Sequence, residues 1–357
     1  MSKDRTSSSK RPKKAKDCTT EVSASRGTET PVSLKEITEA IKDLGENRGW
    51  IIEVLLAVYI STFLEKANPI WLMVVGNPSS NKTTLTDLFK KCSDVYRLDT
   101  LTSNPFISGQ REKKGEKAFD LLPALDGKCF IIKEYATFFG RSDEMVKQLL
   151  SDLTAIYDGE YGKHSPLRGT VTYKSTFSHI GCVTPHALNS RQKYMNSVGA
   201  RFLFLRIPSL SREEREGGLD TFWATRPKKS KNDITDLITK FCERIQEYMN
   251  KSPEILFSSE TQKTLNMYAT FIARTRGVVI SEATNQETSN GGKQTNYEVC
   301  DIQIEEPFRA LKQLKKLAEC LTLIHQKSKV DQRTMGDCSR NCFFFHAYKK
   351  IRCTESL

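Results

Sequence analysis

No run of this chain is apolar enough to span a bilayer. The longest apolar stretch, Trp50 to Leu64, is broken by Glu53 and is shorter than the roughly 20 residues a spanning helix needs. A buried helix is expected there, and no membrane anchor. No signal peptide is expected either, and the 10 cysteines, scattered from Cys18 to Cys353, show no close regular pairing. Reduced thiols are therefore expected in a cytoplasmic setting, or a nuclear one if the host is eukaryotic. Cys338, Cys342, His346 and Cys353 fit no common zinc spacing, with Phe343-Phe344-Phe345 lying among them, so zinc is not expected. No internal repeat is present.

Acidic residues are the minority charge, 43 against 55 Lys and Arg, for a net charge of +12. About half of that excess sits in Lys3, Arg5, Lys10, Arg11, Lys13, Lys14 and Lys16 against Asp4, which weakens any case for a basic core. Residues 1–32, rich in Ser, Thr, Lys and Arg, are expected to be a disordered basic tail. Three roles remain open for it: holding nucleic acid, acting as a nuclear address, or simple solvation. With 357 residues and 38% hydrophobic content, the rest can bury one large core and a smaller domain.

The most informative stretch is the strand-like Trp71-Leu72-Met73-Val74-Val75, followed by Gly76-Asn77-Pro78-Ser79-Ser80-Asn81-Lys82-Thr83-Thr84 and then the helical Leu85-Thr86-Asp87-Leu88-Phe89. A triphosphate needs backbone N–H groups facing it, a helix N-terminus behind it, a lysine for its outer phosphates and a hydroxyl for Mg²⁺. Gly76, Lys82 and Thr83 stand at the right intervals. Asn81 occupies the place of a customary glycine, and asparagine tolerates the left-handed backbone better than other side chains. An ordinary polar turn after a core strand is the competing interpretation.

Three further segments read as strands of a parallel sheet: Cys129–Ile132, Ile180–Val183 and Phe202–Ile207. Helical stretches such as Glu144–Leu150 lie between them, so strand and helix alternate as in a doubly wound α/β domain. Helix is expected to begin at Ser33-Leu34-Lys35-Glu36. From Ile234 onward the apolar spacing becomes helical, as in Phe241, Ile245 and Tyr248 and again in Leu311, Leu314, Leu317 and Leu321. Between these helices Ser281 to Asn296 is polar and expected to be an exposed loop. Glu134, after the strand ending in Ile132, is placed to act as a base or to hold metal; Lys133 stands where an aspartate is usual. Residues Tyr161–His164 and Gly169–Lys174 suggest a β-hairpin.

In their order and spacing these residues resemble AAA+ ATPases, and among them the MCM-like helicases, including the self-loading helicases of bacterial mobile elements. The resemblance runs from about Val54 to Asp331. It is carried by the Gly76–Thr83 loop, Phe106-Ile107-Ser108-Gly109 ahead of Leu121-Leu122-Pro123, Ile131–Tyr135, Ile156–Tyr161, Val183-Thr184-Pro185, Gly199-Ala200-Arg201-Phe202 and a lid containing Arg309. It implies an α/β P-loop NTPase (AAA+) core over residues 33–215, with a parallel sheet flanked by helices, and a mainly helical lid over 216–331. Residues 332–357 form an atypical tail, where relatives are expected to continue toward a winged helix. The N-terminal DNA-binding domain of full-length MCM proteins is not expected in this chain.

The resemblance further implies ATP and Mg²⁺ as cofactors, bound by Gly76 to Thr84, with Thr83 and Glu134 toward the metal. Glu134 would polarise water, Thr184 would act as first sensor, Arg201 as an arginine finger reaching the adjacent subunit, and Arg309 as second sensor. The hairpin would point into a central pore, with Lys163, His164, Arg168 and Lys174 on the phosphates of single-stranded DNA, independent of sequence. The expected protein is a DNA helicase or translocase acting as a homo-oligomeric ring in DNA replication. A nucleotide-dependent DNA-binding or assembly switch with weakened hydrolysis is the alternative, and an inactive DNA-binding or scaffolding relative a third.

Overall fold

The computed structural model describes residues 31–44, 49–64, 69–102, 104–109, 119–191, 199–224, 228–251, 253–287 and 293–339, and of residues 43, 199, 221, 222, 224, 278–287 and 293–299 only the backbone. Residues 1–30 of the basic tail and the residues from 340 onward, including Cys342, His346 and Cys353, lie outside this set. In chain order the elements are α1 (Leu34–Ala40), α2 (Gly49–Ile60), β1 (Trp71–Val75), α3 (Lys82–Asp87), β2 (Val95–Leu98), α4 (Leu121–Leu125), β3 (Cys129–Ile132), α5 (Ala136–Phe139) and α6 (Asp143–Tyr157). They continue with β4 (Glu160–Ser165), β5 (Gly169–Lys174), β6 (Ser178–Val183), α7 (Pro185–Ser190), β7 (Phe202–Arg206), α8 (Arg212–Ala224), α9 (Lys231–Met249), α10 (Ser259–Arg276), β8 (Val278–Glu287), β9 (Lys293–Gln303) and α11 (Phe308–Ile324). A further helical stretch runs from 332 to 339.

Five strands form one parallel sheet in the order β2-β3-β6-β1-β7. Parallel strands buried on both faces need no polar alternation, which is why Trp71–Val75 is apolar throughout and every one of its residues is buried. Leu72, Val74, Ile131, Ile180, Leu203 and Leu205 share one cluster with residues of α2, α9 and α11. Trp71, Met73, Phe130, Ile132, Phe202 and Phe204 pack on the other face with residues of α4, α5 and α6. The chain is thus α/β, with a five-stranded parallel sheet flanked by helices. The described residues from Val32 to Ser339 belong to a single compact unit, and the C-terminal helices share its core.

Strand β2 escapes the sequence pattern. It sits at the sheet edge, is only half-buried and carries Arg97 at its centre, so neither an apolar run nor an alternation marks it. The expected loop from Ser281 to Asn296 is also corrected: apart from 288–292, outside the described residues, it belongs to the antiparallel β8–β9 ladder. The strand signal lies in Val278-Val279-Ile280 and in Tyr297 and Val299 at the hairpin base, while the polar stretch beyond has no apolar period to reveal pairing. Glu53, the charge inside the Trp50–Leu64 run, is buried and paired with Arg333 Nη2 at 2.6 Å and His325 Nε2 at 3.0 Å. Among the described residues no helix is long and apolar enough to cross a membrane.

The aromatic face of the sheet encloses His179. Its Nδ1–H donates to Phe130 O at 2.8 Å, which leaves Nε2 to accept from the Tyr135 hydroxyl at 2.7 Å. Tyr135 can lie there because position 181 is glycine: a Cβ would meet its ring carbon at 2.4 Å. Burial pushes the His179 imidazole down to about 4, from an ordinary value of 6.5. Between these values the unfolded chain takes up a proton that the native one refuses, so stability should fall as pH drops from 6.5 toward 4. The total is on the order of 3 kcal/mol at about 1.4 kcal/mol per pH unit. Denaturant midpoints between about pH 5 and 6.5, above the ordinary carboxylate range, should show this slope in the wild type and a flatter one in His179→Gln. Equal slopes would show that His179 is not the group responsible.

Candidate functional site

The chain leaves the carboxyl end of β1 at Gly76, whose N–H still donates to Val183 O of β6 at 3.1 Å. A Cβ at position 76 would stand 2.5 Å from Ser80 Oγ, which would have to turn away, and 3.3 Å from Ile207 Cβ, so the space beside Gly76 is tight. Beyond it Asn77, Pro78 and Ser79 are exposed, and Asn77 Nδ2 donates to Ser209 Oγ at 3.0 Å. Ser79 and Asn81 both take positive φ, 62° and 61°. Asn81 is the N-cap of α3 and supplies the left-handed residue for which glycine is the usual choice.

Lys82 is the first residue of α3 and is 5% exposed. Its ammonium curls into the loop, 2.7 Å from Gly76 O, 2.8 Å from Asn77 O and 3.4 Å from Ser80 Oγ. Burial lowers its proton affinity below the usual lysine range, while the charge of Glu134 opposes that shift. A buried cation lying against oxygen dipoles would gain from an anion placed at the same spot. Thr83 is exposed and Thr84 half-buried in the same turn.

Glu134 and Thr184 occupy the same end of the sheet. Glu134 follows β3, and its Oε1 accepts the Ala136 N–H at 3.1 Å. Thr184 follows β6 and caps α7, its Oγ1 3.4 Å from Ala187 N. Because β6 lies between β1 and β3, Thr184 stands between the loop strand and the acidic strand. Lys133 turns elsewhere: its Nζ is 2.6 Å from Asp99 Oδ1 and 4.0 Å from Asp87 Oδ1. Asp87 also pairs with Arg97 and, at 3.0 Å, with Lys231. This charge cluster behind α3 had no sequence signature, since its members come from four separate segments.

Arg201 is at the opposite end. Phe202 pairs with Trp71, the first residue of β1, and Arg206 with Val75, the last. Arg201 is therefore about six residues, on the order of 20 Å, from Gly76 along the strand direction. Its Nε donates to Thr154 O at 3.0 Å and its Nη2 is 3.4 Å from Asp158 Oδ2. Arg309 belongs to the same end: with Tyr157, Asp158, Glu305 and Lys312 it lines a cavity of about 430 Å³. The structure thus brings together Lys82, Glu134 and Thr184 at one end, and Arg201 and Arg309 at the other.

The hairpin β4–β5 pairs Glu160 with Lys174 and Ser165 with Gly169. Side chains alternate across a strand, so Lys163 and His164 lie on opposite faces. Lys163 Nζ donates to Asn104 Oδ1 at 2.7 Å, while exposed His164 contacts Thr170 Oγ1 at 3.0 Å. Lys174, 84% exposed, is 3.8 Å from Glu160. Arg168 is held internally: its guanidinium straddles the Asp120 carboxylate at 2.9 and 2.8 Å and donates to Ser108 O at 3.0 Å. Burial would raise the Asp120 carboxyl, but hydrogen bonds from Arg168, the Ser108 N–H and Tyr173 hold it below its ordinary range. Asp120 is thus the anchor of the hairpin and was missed from sequence, where it is only one more charge beside Phe119.

No protein-family model matches this chain, and no curated protein matches it. Among the described residues no three His, Cys, Asp or Glu side chains are grouped to hold a metal ion.

The left-handed backbone at position 81 makes a prediction independent of any ligand. Asn81→Val should lower stability by about 1–2 kcal/mol, the cost of a left-handed conformation for a side chain that resists it, while Asn81→Gly should stay within about 0.5 kcal/mol of wild type. Chemical denaturation measures both, and equal midpoints for the two variants would refute the strain.

Proposed function

We propose that this chain is an ATP-hydrolysing DNA helicase or translocase of the AAA+, MCM-like type that works as an oligomer. The observation that carries the proposal is the division of the polar groups between the two ends of the sheet. A buried lysine, an acidic residue and a polar strand-end residue share the carboxyl end, where open parallel sheets bind their ligands. Arg201 stands a strand length away, beyond the reach of its own loop. If it neutralises phosphate charge, it does so in a neighbouring subunit, and Arg309 on the same end would join it there.

The donor set around the loop suits an anionic nucleotide. Lys82 would exchange its carbonyl contacts for phosphate oxygens, and the backbone from Gly76 to Thr84 would wrap them. Thr83 and Glu134 are the residues that would hold Mg²⁺, which when bound supplies charge neutralisation at the phosphates. Glu134, fixed by the Ala136 N–H, would orient or deprotonate the attacking water, with Thr184 beside it. On the hairpin, His164 and Lys174 offer charge or hydrogen bonds to a DNA backbone, Lys163 would have to leave Asn104 to do so, and Arg168 would brace the hairpin. Contacts of this kind hold DNA without reading its sequence and weaken with salt.

A second function, a nucleotide-dependent DNA-binding or assembly switch with weakened hydrolysis, is favoured by one feature. With Lys133 at the strand end where a carboxylate would serve a metal, that carboxylate is missing, and the lysine itself is turned away to Asp99 and Asp87.

Steady-state ATP hydrolysis at low salt, with and without single-stranded DNA, separates the two. DNA should stimulate the wild type, and Lys82→Ala should abolish the stimulated rate. Arg201→Ala should reduce turnover about 10³-fold, and mixing it with Lys82→Ala should restore part of it, because each supplies the half-site the other lacks. Normal hydrolysis by Arg201→Ala would rule out the finger. A wild type that binds ATP without hydrolysing it would favour the switch.

A further inference from the structure

Two buried polar side chains far from the Gly76 loop converge on the backbone that carries Arg201. Arg276, the last residue of α10, has a side chain only 7% exposed. Its Nη2 donates to Phe202 O at 2.6 Å and its Nη1 to Ala200 O at 3.2 Å. Gln313 is 3% exposed on α11, on the face that otherwise buries Ala310, Leu314 and Leu317. Its Nε2 is 2.8 Å from Arg201 O, 3.3 Å from Ala200 O and 3.4 Å from the Tyr157 hydroxyl. The two side chains also meet, Arg276 Nη2 lying 3.3 Å from Gln313 Oε1, and Glu305 pairs with Arg276 at 3.5 Å.

Three consecutive carbonyls, those of Ala200, Arg201 and Phe202, are therefore gripped by side chains from α10 and α11. The Arg201 side chain is held from the other direction by Thr154 and Asp158, next to the Tyr157 that Gln313 touches. An amide on an apolar helix face is costly to bury unless its hydrogen bonds are made. Here those bonds all go to the Arg201 turn, to α6 or to Arg276. None of them goes to α3, α5 or α7.

We propose that Arg276 and Gln313 are positioning residues for Arg201. They fix the turn that presents it, so that the placement of α10 and α11 sets where the arginine stands. This rests on the finger role proposed above for Arg201. A displacement of about 1 Å in such a group is enough to cost orders of magnitude in rate, so the grip would act on turnover rather than on nucleotide affinity.

The test uses the full chain and the substitution Gln313→Leu, which keeps the helix and most of the volume while removing the amide. Hydrogen exchange over residues 199–206 and ATP turnover are compared in wild type, Gln313→Leu, Arg201→Ala and the double variant. Exchange should quicken in that segment and not in the Gly76 loop. Turnover should fall about tenfold or more, with nucleotide affinity within about twofold of wild type, and Gln313→Leu should cost nothing further in the Arg201→Ala background. Unchanged exchange, or a loss that multiplies onto that of Arg201→Ala, would overturn the proposal. Arg276→Lys, which keeps the charge but loses the planar fork, takes the same measurements if Gln313→Leu does not fold. A wild type without hydrolysis would remove the finger role alone, since exchange is read without turnover and still decides whether these side chains hold the turn.

Discussion

Everything at the candidate site depends on how β1 is sealed. It has a parallel neighbour on each side, and the ladders continue past its end: Gly76 N–H donates to Val183 O, and Ile207 N–H to Val75 O at 2.8 Å. The chain leaves the sheet only after these bonds are made, so the loop starts from a fixed point between β6 and β7. The absent Cβ at Gly76, the left-handed turns at Ser79 and Asn81 and the inward curl of Lys82 follow from that confined departure. A loop emerging from an edge strand would have had room to relax away from it.

The buried polar groups have a common pattern. Glu53, Asp120, His179, Gln313 and Arg276 each lie in an apolar setting, and each is bonded to a segment distant in sequence. Buried polar atoms must find partners, so these residues constrain which segments meet and in what register. Glu53 ties α2 to the C-terminal helical stretch, Asp120 ties the hairpin to the segment before α4, and Gln313 ties α11 to the start of β7. The apolar clusters supply most of the driving force for folding; the polar contacts narrow the arrangements that force can accept.

The sheet also keeps two groups of charged side chains apart. At its carboxyl end a buried ammonium faces loop carbonyls, with Glu134 nearby; at its amino end Arg201, Arg276 and Arg309 gather around Tyr157, Asp158 and Glu305. A parallel sheet makes such a division possible because all its strands point the same way, so every loop at one end follows a strand and every loop at the other precedes one. If Lys82 and Arg201 serve one reaction, as proposed, they can meet only between two copies of the chain.

The sequence by itself determined what is local. Four of the five sheet strands, the loop after β1, the left-handed role of Asn81 and the β4–β5 hairpin could all be recognised from apolar runs, spacing and turn chemistry, because those properties depend on neighbouring residues. Only the tertiary structure decided what depends on remote partners. It added the half-buried edge strand β2, inserted β6 between β1 and β3, turned Arg168 inward to Asp120, split Lys163 from His164 across the hairpin and brought Arg276 and Gln313 to the carbonyls around Arg201. A residue's period says which face of its own element it occupies. What covers that face is settled by the whole chain's packing and by the need of each buried polar atom for a partner.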